Sequence, residues 1–131
     1  MNDREFDNLC ARINSSLDVK EFIDLLGYHA DKAIRTAGLW RMFCPIHGDT
    51  LFRTLVINPR RNTYHCEYSL CAIHKPADLL DLLARVRGVR REAAVAELID
   101  RFGAQHLRLT ATQAVMLREH VEQALPPADM D

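Results

Sequence analysis

No stretch of this chain approaches the roughly 18 uninterrupted apolar residues of a membrane-spanning helix. Even the richest run, Ala77 to Ala84, is broken by Asp78 and Asp81. Cysteine is scarce, with 4 in 131 residues, too few for a disulfide-dense secreted scaffold. The amino terminus, Met1-Asn2-Asp3-Arg4-Glu5-Phe6, has neither a basic n-region nor an apolar h-region, so the expected location is cytoplasmic, with no membrane partner. In that compartment, cysteines that come together are metal ligands sooner than disulfides. Internal repeats and low-complexity tracts are also missing, as are paired carboxylates, a glycine-rich phosphate loop and a Ser/His/Asp signature. No catalytic residue is therefore expected.

What is present suffices for one domain with a core of ordinary size: 48% of residues are hydrophobic and 27% are charged. The formal net charge is only −1, but it is segregated. Residues 1–31 carry three basic and seven acidic side chains, residues 32–91 eleven and four, and residues 92–131 three and seven. A basic block between acidic flanks is the footprint of a polyanionic partner, in competition with an ordinary solvated surface.

The hydrophobic pattern changes along the chain. Phe6, Leu9, Cys10 and Ile13 form the stripe of a short helix, broken at Asn14-Ser15-Ser16. Asp18 with Glu21 resembles a capping pattern that opens a second helix through Leu26, stopped by Gly27. Short extended runs follow at Leu39 to Phe43, Phe52 to Ile57 and Thr63 to Cys66, separated by turn residues, and predict a small antiparallel sheet. Pro76 suits the first turn of a helix running to Gly88. A second helix from about Arg90 ends at Gly103, and Thr110 with Gln113 predicts a capping box for a last helix that Pro126-Pro127 ends before a frayed tail. The expected fold class is α+β, with a small antiparallel β-sheet flanked by α-helices. Residues 1–131 are expected to form one domain: an N-terminal helix over 1–17, a core over 18–103, and a C-terminal helix and tail over 104–131.

Three cysteines and a histidine carry the chemistry. Cys44-Pro45-Ile46-His47, eighteen further residues, and then Cys66-Glu67-Tyr68-Ser69-Leu70-Cys71 make a Cys-x2-His…Cys-x4-Cys pattern. Zinc takes four such ligands at tetrahedral corners, and two ligand pairs on turns at the ends of extended runs supply them. With Cys44, His47, Cys66 and Cys71 all bound, the expected fold is a zinc ribbon and the site would be closed and structural, with Zn²⁺ standing in for the core that a few short strands cannot build. His74 competes for a place in the set, replacing Cys71 or His47. His65 is expected to point to the opposite face of its strand from Cys66, and Cys10 to lie in the core.

Residues from about Asp18 to Gly103 resemble the amino-terminal zinc-binding domain of DnaG-type bacterial primases. The resemblance lies in Leu39-Trp40-Arg41-Met42-Phe43 leading into Cys44-Pro45-Ile46-His47, in Phe52-Arg53-Thr54-Leu55-Val56-Ile57-Asn58-Pro59, in Tyr64-His65-Cys66 and Cys71, in Asp78-Leu79-Leu80-Asp81-Leu82-Leu83, and in Glu92-Ala93 to Gly103. The chain departs from the family in its x4 second pair, where the family has x2, in a turn, Ala72-Ile73-His74-Lys75-Pro76, that lacks the family's glycines, and in Thr50-Leu51-Phe52, which keeps only the aromatic of a Pro-Ser-Phe element. No catalytic domain is expected after Gly103.

The resemblance implies a template-recognition module that engages single-stranded DNA in replication or maintenance of a chromosome or mobile element, at most an accessory module of a DNA primase. Rings that stack and cations that neutralise phosphate hold single strands with little sequence preference. The residues expected to do so here are Trp40, Arg41, Arg53, Arg60, Arg61, Tyr64 and Lys75, with Phe52 in the core. Arg85, Arg87, Arg90 and Arg91 form a second basic cluster, read equally as a solvated helix face. The alternative is a non-catalytic adaptor that keeps the fold and docks a replication or regulatory protein through the acidic terminal helices.

Overall fold

The computed structural model describes residues 1–125. The elements are α1 (Asp3–Ser16), α2 (Val19–Leu26), β1 (Ile34–Thr36), β2 (Leu39–Met42), β3 (Leu55–Asn58), β4 (Thr63–Cys66), β5 (Ala77–Asp78), α3 (Leu79–Arg87), α4 (Arg91–Phe102) and α5 (Ala111–Ala124), so the fold class is α+β. The strands form one antiparallel sheet in chain order, β1-β2-β3-β4-β5.

Helix starts follow from side chains that satisfy the otherwise unpaired first-turn N–H groups. Asn2 accepts from Glu5 N at 2.8 Å, and Asp18 from Glu21 N at 3.1 Å. Thr110 and Gln113 make the reciprocal capping box that their spacing predicts. Gly27 and Gly88 end α2 and α3 in the left-handed conformation.

Two expectations are corrected at helix ends. Pro76 is not in the first turn of α3: Ala77 and Asp78 pair with β4 instead, and Asp78 caps the helix by accepting from Asp81 N. Nor does α1 break at Asn14. It runs to Ser16, because the buried Asn14 amide finds partners outside the helix: Nδ2 donates to Asn62 O at 3.0 Å and Oδ1 accepts from Leu79 N at 2.9 Å. Asn62, in the left-handed conformation at φ 50°, returns its own Nδ2 to Asn14 O and Leu17 O. This pair ties the β3–β4 turn to α1 and to the start of α3. The expected end of α5 at Pro126-Pro127, with its frayed tail, lies outside the described residues.

Cross-strand pairing sorts the sheet into two faces. Met42, Leu55 and Cys66 share a row toward the helices, as do Trp40, Ile57 and Tyr64. The other face carries Ile34, Arg41, Val56 and His65 in one row. One contiguous core runs from Phe6 to Val121 and takes Cys10, Leu55, Leu80, Leu98 and Leu117 from all three expected segments of the chain.

β3 begins only at Leu55, so Phe52 is not in a strand and not in the core, contrary to expectation: it is 70% exposed. Asp49 sets this start by accepting from Leu51 N at 2.8 Å and Phe52 N at 3.2 Å, a turn that carries both side chains outward.

Candidate metal centre

β2 and β4 run toward the same end of the sheet, because Met42, Leu55 and Cys66 are in register. The ligand pairs therefore leave the same end of the sheet, from the strands on either side of β3. Past β2, the chain turns through Cys44-Pro45-Ile46-His47, closed by Gly48 N donating to Cys44 O at 3.0 Å with Gly48 left-handed at φ 72°. Past β4, Cys71 N donates to Tyr68 O at 2.9 Å and Cys66 N to Ile73 O at 2.9 Å, which folds the x4 loop back so that Cys71 returns beside Cys66. The longer second loop thus reaches the same point as a shorter one would.

One ligand atom each from Cys44, His47, Cys66 and Cys71 lies within 4.8 Å of the others. Cys44 Sγ and Cys71 Sγ are 3.8 Å apart, and His47 Nδ1 lies 3.6 Å from Cys66 Sγ. The three cysteines are buried and unpaired by disulfide, whereas the His47 residue is exposed at one edge. Three sulfurs and an imidazole nitrogen at this spacing fit a tetrahedral metal ion, closed to any further ligand. His74 is not among the four. Its Nδ1 sits 2.8 Å from Cys66 O, where it holds the second loop. His65 lies in the row of Arg41 and Val56 on the opposite sheet face.

Burial pushes the Cys44 thiol up to about 12, with Cys66 and Cys71 adding to the rise against the backbone N–H groups of His47 and Ile46. For Cys71, burial acts in the same sense but is outweighed by the Ile73 N–H and by hydrogen bonds with His47, Cys44 and Cys66, so its thiol sits below the ordinary 9.0. An ion entering the site must therefore displace protons.

Asp49, which the spacing pattern does not single out, stands behind His47. With Nδ1 turned to the sulfurs, His47 Nε2 faces Asp49 Oδ2 at 3.6 Å, while Asp49 Oδ1 is fixed by the two backbone N–H groups already described. Those N–H groups, of Leu51 and then Phe52, hold the Asp49 carboxyl below its ordinary value, and His47 adds to this. A carboxylate behind a ligating histidine fixes its tautomer and ring orientation. Thr54 Oγ1 stands in a comparable position behind Cys66, 3.4 Å from its sulfur.

The residues expected to contact nucleic acid do not converge on one patch. Tyr64 is corrected: it is 1% exposed, on the helix side of the sheet, with its hydroxyl donating to Asp81. Trp40 is half-buried and packed against the core. Arg41 Nη1 is ion-paired with Glu67 at 2.6 Å. Arg53 Nε donates to Lys32 O at 2.7 Å with its guanidinium 5.0 Å over the Phe43 ring. Arg60 and Arg61 are exposed in the β3–β4 turn, at the end of the sheet opposite the metal ligands, and Lys75 is exposed on the loop before β5. The second basic cluster is engaged internally: Arg85 with Asp81, Arg87 with Glu97 and the α2 carbonyls of Leu25 and Leu26, Arg90 with Ala124 O, and Arg91 with Asp78.

Sequence reasoning also missed the exposed apolar side chains of the two ligand loops. Leu51 is 82% exposed, Leu70 80% and Tyr68 46%, and with Phe52 they make up four of the seven exposed large hydrophobics among the described residues.

Comparison with protein families, with curated proteins and with solved structures finds no match for this chain. No helix among the described residues is long and apolar enough to cross a membrane.

Proposed function

We propose that this chain is a zinc-ribbon module that binds single-stranded nucleic acid, similar in role to the template-recognition domain of DnaG-type primases and working beside a catalytic subunit carried elsewhere. Zinc is the ion we assign to the centre, because a buried set of three thiolates and one imidazole is the donor chemistry of structural zinc. When bound, zinc supplies a cross-link between the two ligand loops and no open position for a reacting water. Everything else in this role falls to the chain's own side chains.

The observation that carries the proposal is the disposition of charge around the sheet. All four acidic side chains of the basic block are engaged internally: Asp49 with His47, Glu67 with Arg41, Asp78 with Arg91 and Asp81 with Arg85. Arg35, Arg60, Arg61 and Lys75 have no side-chain partner among the described residues and are exposed. The block therefore presents unneutralised cations with no acid beside them to pair with, which suits phosphate. Phe52 and Tyr68 offer exposed rings on the ligand loops for stacking of unpaired bases.

The test is a fluorescence-anisotropy titration of the zinc-loaded chain with single-stranded and duplex oligonucleotides over a salt series. Preference for single strands is expected, with log affinity falling by about 0.7 per neutralised phosphate for each log unit of salt. The Arg60→Glu/Arg61→Glu pair, exposed in the β3–β4 turn at the far end of the sheet from the metal ligands, should weaken binding at least about tenfold at low salt. Absence of binding by the folded, zinc-loaded protein at low salt would overturn the proposal. That outcome would favour the adaptor alternative, for which Leu51 and Leu70 are the specific support: aliphatic side chains this exposed suit a protein surface better than a base.

A further inference from the structure

A cavity of about 490 Å³ opens between the second ligand loop and α3. Its lining combines the apolar Ile73 and Ala77 with the polar Ser69, Lys75, Asp81 and Arg85 beside Tyr64. Arg85 is held in place from behind. The buried Tyr64 hydroxyl and Arg85 Nε, the latter at 3.0 Å, both donate to Asp81 Oδ2. Two donors thus engage one oxygen of the Asp81 carboxylate, which raises the Arg85 pKa above its ordinary value. The two η nitrogens of Arg85, the Lys75 ammonium and the Ser69 hydroxyl have no partner among the described residues.

We infer that this cavity is a binding site for a phosphate monoester, distinct from the metal centre and sharing only Lys75 with the nucleic-acid proposal above. Lys75 and Arg85 against the one carboxylate of Asp81 leave a net positive wall. Cys71 also borders the cavity, but its sulfur is turned to the other three ligands. The donors come from three side chains, and a monoester dianion has three terminal oxygens to meet them, whereas a carboxylate or an internal phosphodiester has two. A volume of about 490 Å³ leaves room beside the phosphate for a sugar or a base. Such a group can come from a free mononucleotide or from the 5′ end of a strand.

Both sources can be separated with the full zinc-loaded chain. Amide resonances are followed by NMR during titration with inorganic phosphate and with a nucleoside 5′-monophosphate, and anisotropy compares 5′-phosphorylated with 5′-hydroxyl oligonucleotides of one sequence. Saturable shifts at Ser69, Ile73 and Ala77 with the monophosphate are expected, reduced about tenfold in affinity by Arg85→Gln, which removes charge-assisted bonds. Ser69→Ala, a smaller change, keeps the test decisive if Arg85→Gln alters the fold, and should weaken the monophosphate by a few-fold. A 5′-phosphate that tightens oligonucleotide binding in the wild type, and does so less in Arg85→Gln, assigns the strand end as the source. Equal binding of the two oligonucleotides with monophosphate shifts in the cavity assigns the free nucleotide. If neither phosphate nor monophosphate shifts these residues and the 5′-phosphate makes no difference, the inference is overturned, whatever the 5′-hydroxyl strand does. Conversely, monophosphate binding in the cavity without any strand binding would sustain it while the proposed function failed.

Discussion

Asp49 does two jobs with two oxygens. One closes the turn that throws Leu51 and Phe52 outward, and the other faces His47 Nε2 from behind the metal centre. A histidine whose far nitrogen is held by a carboxylate keeps the tautomer and angle that a metal requires, and losing such a partner commonly costs 10- to 100-fold in affinity, roughly, without removing any ligand. Asp49→Ala is therefore expected to weaken zinc binding by about that factor in a competition titration against a chromophoric chelator. Unchanged affinity would mean that His47 is oriented by its loop alone. That Cys44, His47, Cys66 and Cys71 come together was legible from their spacing, since chelation imposes short intervals on sequence. Asp49 was not, because a carboxylate behind a ligand may stand at any interval that folding brings near. Tyr64 shows the same limit from the other side: a tyrosine beside a basic run looks like a stacking residue until the strand's register turns it inward onto Asp81.

At the scale of elements, two helix starts were legible because their caps are local. Asp18 and Thr110 each accept from the N–H three residues on, an interaction written in the sequence itself, whereas Asp78 caps α3 in the same way but was overlooked for Pro76. The edge strands β1 and β5 were not legible. They have three and two residues, too few to show an alternating pattern, and exist only because a neighbouring strand offers its edge. Asp78 joins three elements, since it ends β5, caps α3 and accepts a bidentate pair from Arg91 at the start of α4. Burial alone would raise its pKa, but the Arg91 guanidinium and the Asp81 N–H outweigh burial and hold it below the ordinary 3.8. The unfolded chain therefore takes up this proton at a higher pH than the folded one does. The resulting stability is complete above the unfolded value and is lost as pH falls through the depressed folded value. In urea unfolding at a series of pH values from about 5 downward, Asp78→Asn should start less stable than the wild type, and the gap should close as pH falls. A gap that stays constant with pH would show that the Asp78–Arg91 pair contributes no charge-linked stability.

For the whole molecule, the candidate metal site and the core are one construction. Cys44, Cys66 and Cys71 belong to the same contiguous core as Leu55, Leu80 and Leu98, so the ligand loops anchor on the core that the helices complete. Removing the ion leaves three buried thiols at the end of the sheet, with burial keeping Cys44 protonated up to about 12. Loading should consequently release protons and bring order to the sheet together. The measurement that bears most directly on this is a Co²⁺ titration of the reduced, metal-free chain, read by absorbance and far-ultraviolet circular dichroism, with Zn²⁺ added afterwards as competitor. A closed four-ligand site predicts one ion per chain, tetrahedral d–d bands, and charge-transfer intensity for the three thiolates of Cys44, Cys66 and Cys71. That intensity should fall in each of their serine variants and hold in Cys10→Ser and His74→Ala, with Zn²⁺ displacing the cobalt. An octahedral spectrum, or a loss of charge transfer in Cys10→Ser or His74→Ala equal to that in the ligand variants, would contradict it.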